Sequence, residues 1–258
     1  MSSQLTSSGR IGIAAYRELQ ATRRPGIWRY FFVILSSVYA LVAVVGFAPE
    51  FNDLFGGTFQ FSFVPAIAYT HGALMMAWLL FFIVQTSLAA SGVLKWHRTL
   101  GLASIGLAVA MWATMGVVSA GQLIRLTSLD VEAPGWVYDV VLSQLCTMVL
   151  FPFLFVWGIL ARRDSSSHKR LLSLAALVLL QPAVDRMYWL PNSGMPYLWP
   201  MLVLLIPLFV FDLLSIKRIH PVTLIGTGAI IVTNMAINLI LAMPGWHPFA
   251  AQMTNAIR

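Results

Sequence analysis

The residues of this chain best suited to chemistry are its histidines, because an imidazole can bind a metal ion, carry a proton or hydrogen-bond an anion. Four of them lie at or near the start of long apolar runs, namely His71, His97, His168 and His220. As a helix, the 26 steps from His71 to His97 would span roughly 39 Å, about the thickness of a bilayer with its headgroups. These two histidines are therefore predicted at opposite membrane faces.

Three of the histidines are predicted at one face, each with basic neighbours. The segments are His97-Arg98, His168-Lys169-Arg170 and Lys217-Arg218-Ile219-His220. Together with Asp212, three histidines would suit a zinc-like site. The adjacent cations would repel a divalent ion and favour an anion, such as a lipid phosphate, a haem propionate or an acidic metabolite. Three interpretations stay open: plain helix starts at the interface, a haem or anion site, and a metal site, which the cations disfavour.

Polar side chains also recur inside the apolar runs, in the half of the membrane predicted to hold His71. They are Ser119, Gln122, Gln144, Gln181, Asp185, Asn234 and Asn238. Such groups are unfavourable toward lipid, so they are expected to face the interior of a bundle. We expect a substrate pocket there, lined by Gln144, Asp185, Asn234 and Asn238. The alternative is hydrogen bonding between helices, worth about 0.6 to 2 kcal/mol per contact.

The elements that position these residues must cross a membrane. The chain is 59% hydrophobic and 10% charged, whereas soluble domains are about 25% charged. Counting apolar runs against the roughly 20 residues that a spanning helix needs predicts seven helices. Their approximate ranges are 30–47, 63–92, 100–124, 137–161, 171–190, 198–214 and 221–243. The predicted fold class is all-α, an integral membrane bundle of seven transmembrane helices.

The positions of lysine and arginine predict the orientation, because short loops rich in these residues stay in the cytoplasm. Thirteen of the 16 fall in the N-terminal segment and alternate loops, and three fall on the other side. The N-terminus is therefore predicted in the cytoplasm and the C-terminus in the periplasm, in a bacterial inner membrane. The predicted parts are a cytoplasmic segment 1–29 with an amphipathic helix at 10–24, a transmembrane domain 30–243 and a periplasmic tail 244–258.

Several function classes find no support in the sequence. The net charge of +7 is explained by topology and by attraction to anionic lipid headgroups, so nucleic acid is not an expected partner. With Cys146 as its only cysteine, the chain has neither a disulfide framework nor a thiolate metal cluster. Motifs of metalloproteases, serine hydrolases and nucleotide-binding enzymes are absent from the sequence. No inverted repeat with broken helices is evident, which disfavours a secondary transporter.

Taken together, the histidine segments resemble the pattern of a large family of uncharacterised polytopic bacterial membrane proteins. The segments that carry the resemblance are His71-Gly72, His97-Arg98-Thr99-Leu100-Gly101, His168-Lys169-Arg170-Leu171-Leu172 and Ile219-His220-Pro221. In that family a histidine span is followed by H-R-x-L-G and later by H-K-R-L or H-R-R-W-M. The resemblance runs from about residue 30 to the end, and it implies a multi-pass fold without naming a reaction.

A looser similarity is to cytochrome b561-like proteins and haem-copper oxidase assembly proteins, whose spans carry histidines near both membrane faces to hold b-type haem. By position, the similarity implies haem b as cofactor, with His71 as an outer ligand and His97 and His168 as inner ligands. A bis-histidine outer haem would need a second outer histidine, and only His247 is available there. A methionine could replace it as an axial ligand.

The leading hypothesis is a bacterial inner-membrane protein with a histidine-based cofactor or small-ligand site, used for b-type haem or quinone-linked electron transfer. The predicted cofactor-binding residues are His71, His97, His168, His220, Lys169 and Arg170. One alternative is a non-catalytic membrane partner or assembly factor, whose histidines and basic residues anchor helix ends on lipid phosphate. Another is a small-solute transporter. Other membrane subunits are candidate partners, and whether the chain is an enzyme is left open.

Overall fold

The computed structural model describes residues 26–56, 66–128, 135–187, 190 and 199–256. The amphipathic helix predicted at 10–24 lies outside the described residues. Every regular element in the described ranges is helical, in agreement with the predicted all-α class.

The α-helices of the described ranges are numbered here in chain order. They are α1 (Gly26–Gly46), α2 (Ala48–Gly56), α3 (Ala66–Ala90), α4 (Leu94–Ser128), α5 (Gly135–Leu160), α6 (Ser165–Val178), α7 (Gln181–Asp185), α8 (Trp199–Ile216), α9 (Pro221–Leu241) and α10 (Trp246–Asn255). A single 3-10 turn, Ala161–Arg163, joins α5 to α6.

Six of these helices are long and apolar enough to cross a membrane, namely α1, α3, α4, α5, α8 and α9. Their mean hydropathy lies between 1.8 and 2.2, as expected for segments whose surroundings are hydrocarbon rather than water. By length and composition, the chain is therefore a multi-pass helical membrane protein.

The fifth predicted run, 171–190, does not form one long helix. α6 ends at Val178, and the five-residue α7 follows after a turn at Leu179 and Leu180. Pro182 accounts for the interruption, because proline has no N–H to donate to the carbonyl of Val178 and its ring clashes with that carbonyl. The 14 residues of α6 rise about 21 Å, which is less than the roughly 30 Å of a hydrocarbon core.

α6 is the most enclosed helix of the bundle. From Leu174 to Leu180 no side chain is more than 5% exposed. An apolar helix that is buried on all sides lies in the middle of its neighbours. α9 approaches it closely, since a Cβ added to Gly226 would lie 2.5 Å from Cδ1 of Leu174.

Side-chain contacts show how the helices are directed. The Arg29 side chain donates to the Ala90 carbonyl, so α1 begins where α3 ends. Arg170, early in α6, meets Asp212, late in α8. We call this end of the bundle, where α4, α6 and α9 begin, the basic end. Nine described lysines and arginines lie there: Arg29, Lys95, Arg98, Arg162, Arg163, Lys169, Arg170, Lys217 and Arg218.

Candidate cofactor site

His97 lies in the first turn of α4 and faces back onto the end of α3. Two hydrogen-bonding arrangements satisfy its Nδ1 atom. In one, the Gln85 amide nitrogen donates to Nδ1 at 2.7 Å and the ring proton is on Nε2. In the other, Nδ1–H donates to the Gln85 backbone carbonyl at 3.2 Å, which leaves Nε2 unprotonated. A metal bound at Nε2 would select the second arrangement.

His168 lies in the first turn of α6 and faces α5. Its Nδ1 is 2.7 Å from the Gly158 carbonyl oxygen, so Nδ1 carries the proton and Nε2 has a free lone pair. Asp164 fixes this turn by capping α6, since its carboxylate accepts hydrogen bonds from the Ser166 N–H at 2.9 Å and the Ser167 hydroxyl at 2.5 Å. The Ser167 hydroxyl is the main reason that the pKa of Asp164 lies below its usual value.

The structure brings the rings of His97 and His168 together across α4 and α6. Their centroids are 6.4 Å apart and their planes are nearly perpendicular, at 84°. With metal–nitrogen bonds of about 2 Å, ring centroids are roughly 6 Å apart when two imidazoles bind one ion from opposite sides, and roughly 5 Å apart in a tetrahedral site. By separation alone, the pair is closer to two imidazoles on opposite sides of one ion than to two ligands of a tetrahedral site.

The hydrogen bonds of the two rings fit the same use. A histidine that binds a metal usually donates its other N–H to a carbonyl or carboxylate, which sets the tautomer and the ring orientation. His168 does so at Gly158, and His97 has a carbonyl in reach at Gln85. Among the described residues, no group of three His, Cys, Asp or Glu side chains could hold a metal ion, so no tetrahedral zinc site of protein ligands forms within them.

Asp212 is fully occupied by other partners. It is 0% exposed, and Arg170 is 1% exposed. Arg170 donates from Nε and Nη2 to Oδ1 of Asp212 at 2.8 and 2.5 Å. The Thr223 hydroxyl and the His220 backbone N–H donate to Oδ2 at 2.7 and 2.9 Å. This cluster joins α6, α8 and α9 and leaves neither Arg170 nor Asp212 available to a ligand.

The two other predicted residues at the basic end also have partners. His220 caps α9, where its Nδ1 accepts the Val222 N–H at 3.3 Å. Burial, with the nearby Arg170 charge, lowers the pKa of His220, which agrees with a neutral ring that accepts a hydrogen bond. The Lys169 ammonium lies 4.9 Å from the ring centroid of Phe32 and 5.3 Å from that of Phe211.

His71 lies far from this pair, in the half of α3 away from the basic end. Its Nδ1 is 3.1 Å from the Thr114 hydroxyl, which itself donates to the Met111 carbonyl at 2.9 Å. The Thr114 oxygen is thus the acceptor and His71 the donor. His247, the other histidine of that half, hydrogen-bonds Asp139 at 3.0 Å instead. The structure does not bring a second histidine to His71.

The four residues of the predicted substrate pocket have separate hydrogen-bond partners. Gln144 accepts a hydrogen bond from the Ser119 hydroxyl at 2.8 Å. Asn234 is buried, and its backbone carbonyl accepts from the Asn238 amide at 2.8 Å. Asp185 is exposed. Its neighbour Arg186 pairs with Glu50 of α2 at 2.6 Å rather than with Asp185. Apart from the bond along α9, no hydrogen bond joins these four described residues.

Two partners of the histidine pair escaped sequence analysis because they act through the backbone. Gly158 and Gln85 contribute carbonyl oxygens, which every residue carries, so no residue type marks them. Glu50 was missed for a different reason, since it lies far from Arg186 in the chain.

Comparison with family models, curated proteins and solved structures found no match to this chain.

Proposed function

We propose that this chain is a bacterial inner-membrane electron-transfer protein that holds a b-type haem between α4 and α6, with His97 and His168 as axial ligands. The observation that carries the proposal is the 6.4 Å separation of the two ring centroids. Nδ1 of His168 donates to the Gly158 carbonyl, which leaves its Nε2 for a metal. His97 offers Nε2 in the same way in the arrangement in which its Nδ1–H donates to the Gln85 carbonyl. The haem, when bound, supplies one-electron redox chemistry.

The surrounding side chains of the proposed site are basic. Lys95, Arg98 and Lys169 lie within two residues of the pair in sequence, and positive charge there favours the carboxylates of haem propionates as well as anionic lipid headgroups. The packing of α3 and α5 against the two histidine helices would fix the ring orientations. The protein thus orients the cofactor, and the charge of the basic end attracts its acidic edge.

The proposed topology has seven crossings, with the basic end in the cytoplasm. α6 and α8 run in opposite directions, because Arg170 near the start of one meets Asp212 near the end of the other. α8 therefore begins at the end of the bundle opposite to the start of α6. In this proposal the run 171–190 supplies the seventh crossing. The nine basic residues at one end support a cytoplasmic assignment for that end.

Haem content tests the proposal. The wild-type protein and the variants His97→Gln, His168→Gln and His71→Gln are purified from membranes, and haem is extracted and quantified per chain. We expect about one haem per chain in the wild type, retention in His71→Gln, and loss of most of it in the other two, because a haem iron held by one axial histidine dissociates more readily. Haem-free wild type, or full retention in His97→Gln and His168→Gln, would contradict the proposal.

A second candidate function is a non-catalytic membrane partner of a larger complex. The observation that favours it is that the same Nδ1 bonds tie α4 to α3 and α6 to α5, a purely structural use of a histidine. This alternative expects that the wild type contains no haem and that the double variant His97→Gln/His168→Gln still co-purifies with its partner subunits, since glutamine can also donate to a carbonyl.

A further inference from the structure

The last helix of the described chain, α10, follows the membrane helix α9 after a short turn. α9 begins at the basic end and has 21 residues, a rise of roughly 32 Å, which matches the roughly 30 Å of a hydrocarbon core. Its last residue, Leu241, therefore lies close to the opposite membrane surface. Only residues 242–245 separate it from Trp246, where α10 begins. The ten residues of α10 form about 15 Å of helix, which is too short to cross the membrane again.

The beginning of α10 is attached to the beginning of α5. Oδ1 of Asp139 accepts hydrogen bonds from Nε1 of Trp246 at 2.8 Å and from Nε2 of His247 at 3.0 Å. The His247 ring also packs against the backbone of Gly135, where an added Cβ would lie 2.8 Å from Cε1 of the ring. α10 contacts α4 as well, so it lies against two membrane helices rather than extending away from the bundle.

One face of α10 is turned toward the bundle. Trp246, Ala250 and Thr254 follow each other at steps of four, so they share a face. Ala250 and Thr254 are buried, and Ala250 packs against Tyr138 of α5. This contact fixes the rotation of α10 about its axis.

The other two faces of α10 are exposed and differ in polarity. Phe249 and Met253, four residues apart, are 55% and 48% exposed. Gln252 and Asn255 are exposed as well. At about 100° per residue, Met253 lies about 60° around the helix from Ala250, whereas Gln252 lies about 160° from it. The exposed apolar face therefore adjoins the buried face, and the polar face points away from the bundle.

The surroundings of α10 indicate what covers its apolar face. Exposed apolar side chains precede it in the chain, at Leu239 of the membrane helix α9 and at Met243 of the turn, with 63% and 57% exposure. Trp136, next to Gly135 in the first turn of α5, is exposed too, and tryptophan is enriched at the boundary between membrane and water. α10 contains no Lys, Arg, Asp or Glu, so its exposed large side chains match hydrocarbon rather than a charged partner.

We infer that α10 is an interfacial helix, held by Asp139 along the membrane surface at the end opposite the basic end. The acyl chains of that leaflet cover Phe249 and Met253, while Gln252 and Asn255 face headgroups and water. Burial of large apolar side chains in hydrocarbon is favourable, and the hydrogen bonds to Asp139 keep the helix at the depth where this burial is possible. The inference rests on the multi-pass membrane class and does not depend on haem binding.

Electron paramagnetic resonance of single spin labels in lipid nanodiscs tests the inference. In a Cys146→Ser background, labels are attached at the exposed positions of α10 and at one lipid-facing reference position of α9, which is 66% exposed. The variants are Phe249→Cys, Met253→Cys, Gln252→Cys, Asn255→Cys and, as the reference, Val232→Cys. Power saturation compares the access of oxygen, which concentrates in hydrocarbon, with the access of a water-soluble nickel chelate.

The inference predicts a ratio of oxygen access to nickel access that is several-fold higher at Phe249 and Met253, as at Val232, than at Gln252 and Asn255. Equal ratios at all four positions of α10 would overturn it, because the helix would then have no lipid-facing side. Low access of both reagents at Phe249 and Met253 would also overturn it, since a second copy or another subunit would then cover the apolar face.

The mobility of the label at Met253 tests the attachment to Asp139. Asp139→Ala removes the acceptor of both hydrogen bonds, so it should make this label more mobile and leave the label at Val232 unchanged. Asp139→Asn is the matched control, because its amide oxygen still accepts, and it should keep the label close to its wild-type mobility. Unchanged mobility in Asp139→Ala would overturn the attachment of α10 through Asp139.

Discussion

At the scale of single residues, Asp212 determines how the basic end can be used. Its position near three histidines allowed a zinc-like site in the sequence. In the structure both of its oxygens are occupied by Arg170, Thr223 and the His220 backbone, and the paired charges are buried. A carboxylate so fully satisfied stabilises the packing of three helices and has no lone pair for a metal.

Replacing Asp212 by Asn should strongly destabilise the protein. The substitution leaves the Arg170 charge buried without a counter-charge, which typically costs about 3 to 5 kcal/mol. Replacing both residues by apolar ones of similar size, as in Arg170→Met/Asp212→Leu, should cost much less, since no unpaired charge remains. Denaturant unfolding in detergent measures the loss of stability in the single variant and in the double variant. Equal losses in the single and double variants would contradict the buried pair.

Removing the cap of α6 should have a smaller effect that depends on pH. Asp164→Ala is expected to cost about 1 kcal/mol near pH 7. Because the folded state lowers the pKa of Asp164, the contribution of the carboxylate is present above about pH 4, the usual range of an unfolded aspartate. It is lost as the pH falls through the folded-state pKa. Unfolding curves of wild type and variant should therefore converge in acid. Ser165→Ala, a change at the next residue, is the control.

Sequence and structure differ at this scale in a consistent way. The histidines were identifiable because a rare side chain recurs at the starts of apolar runs. The sequence did not show which of these rings come together, since His97, His168 and His220 all lie at the starts of apolar runs. Their different partners, a carbonyl of another helix for two and the Val222 N–H for the third, depend on how the helices rotate against each other, which no local pattern contains.

At the scale of elements, the turn between α3 and α4 places His97. Gly92 has a φ of 79°, a left-handed conformation that costs other residues about 1 to 2 kcal/mol. Space is not limiting, since the nearest atom to an added Cβ is a side-chain nitrogen of Arg29 at 3.9 Å. Strain alone therefore decides the effect of a substitution.

Gly92→Ala should lower the free energy of unfolding by about 1 kcal/mol and should weaken haem retention, because the turn sets the position of His97 against Gln85. Thermal unfolding and haem content measure the two effects. Gly72→Ala, within α3 and with open space around it, should be neutral or slightly stabilising. A neutral Gly92→Ala variant would show that the turn does not constrain His97.

The interrupted α6 shows what apolar runs can and cannot predict. The run 171–190 was identified from hydrophobicity, but its break at Pro182 was not. Pro152 and Pro207 lie inside α5 and α8 without ending them, so a proline alone does not identify a break. Neighbouring helices decide whether the freed carbonyl is tolerated, and that packing is not evident from one segment.

At the scale of the whole molecule, the membrane class and most helix positions followed from hydrophobicity because the bilayer imposes a length on each crossing. The polar residues predicted to form one pocket were assigned by depth alone. Depth fixes one coordinate out of three, so it does not by itself show which of these residues are neighbours.

The proposed orientation can be tested with single cysteines after replacing Cys146, the only native one, by Ser. Ser91→Cys lies at the basic end, and Gln252→Cys lies on α10 at the opposite end, both exposed. A thiol reagent that enters the periplasm but does not cross the inner membrane should label only Gln252→Cys in intact cells, and both after the membrane is permeabilised. Labelling of Ser91→Cys alone in intact cells would show that the orientation is the opposite of the proposed one.

The most direct test of the central claim is the visible absorption spectrum of the protein extracted from its membrane. If His97 and His168 bind one haem iron, the reduced wild type should show the sharp bands of a six-coordinate, low-spin b-type haem, and His97→Ala or His168→Ala should lose them or shift to a high-spin spectrum. A wild type without haem bands, or alanine variants with an unchanged low-spin spectrum, would contradict the account.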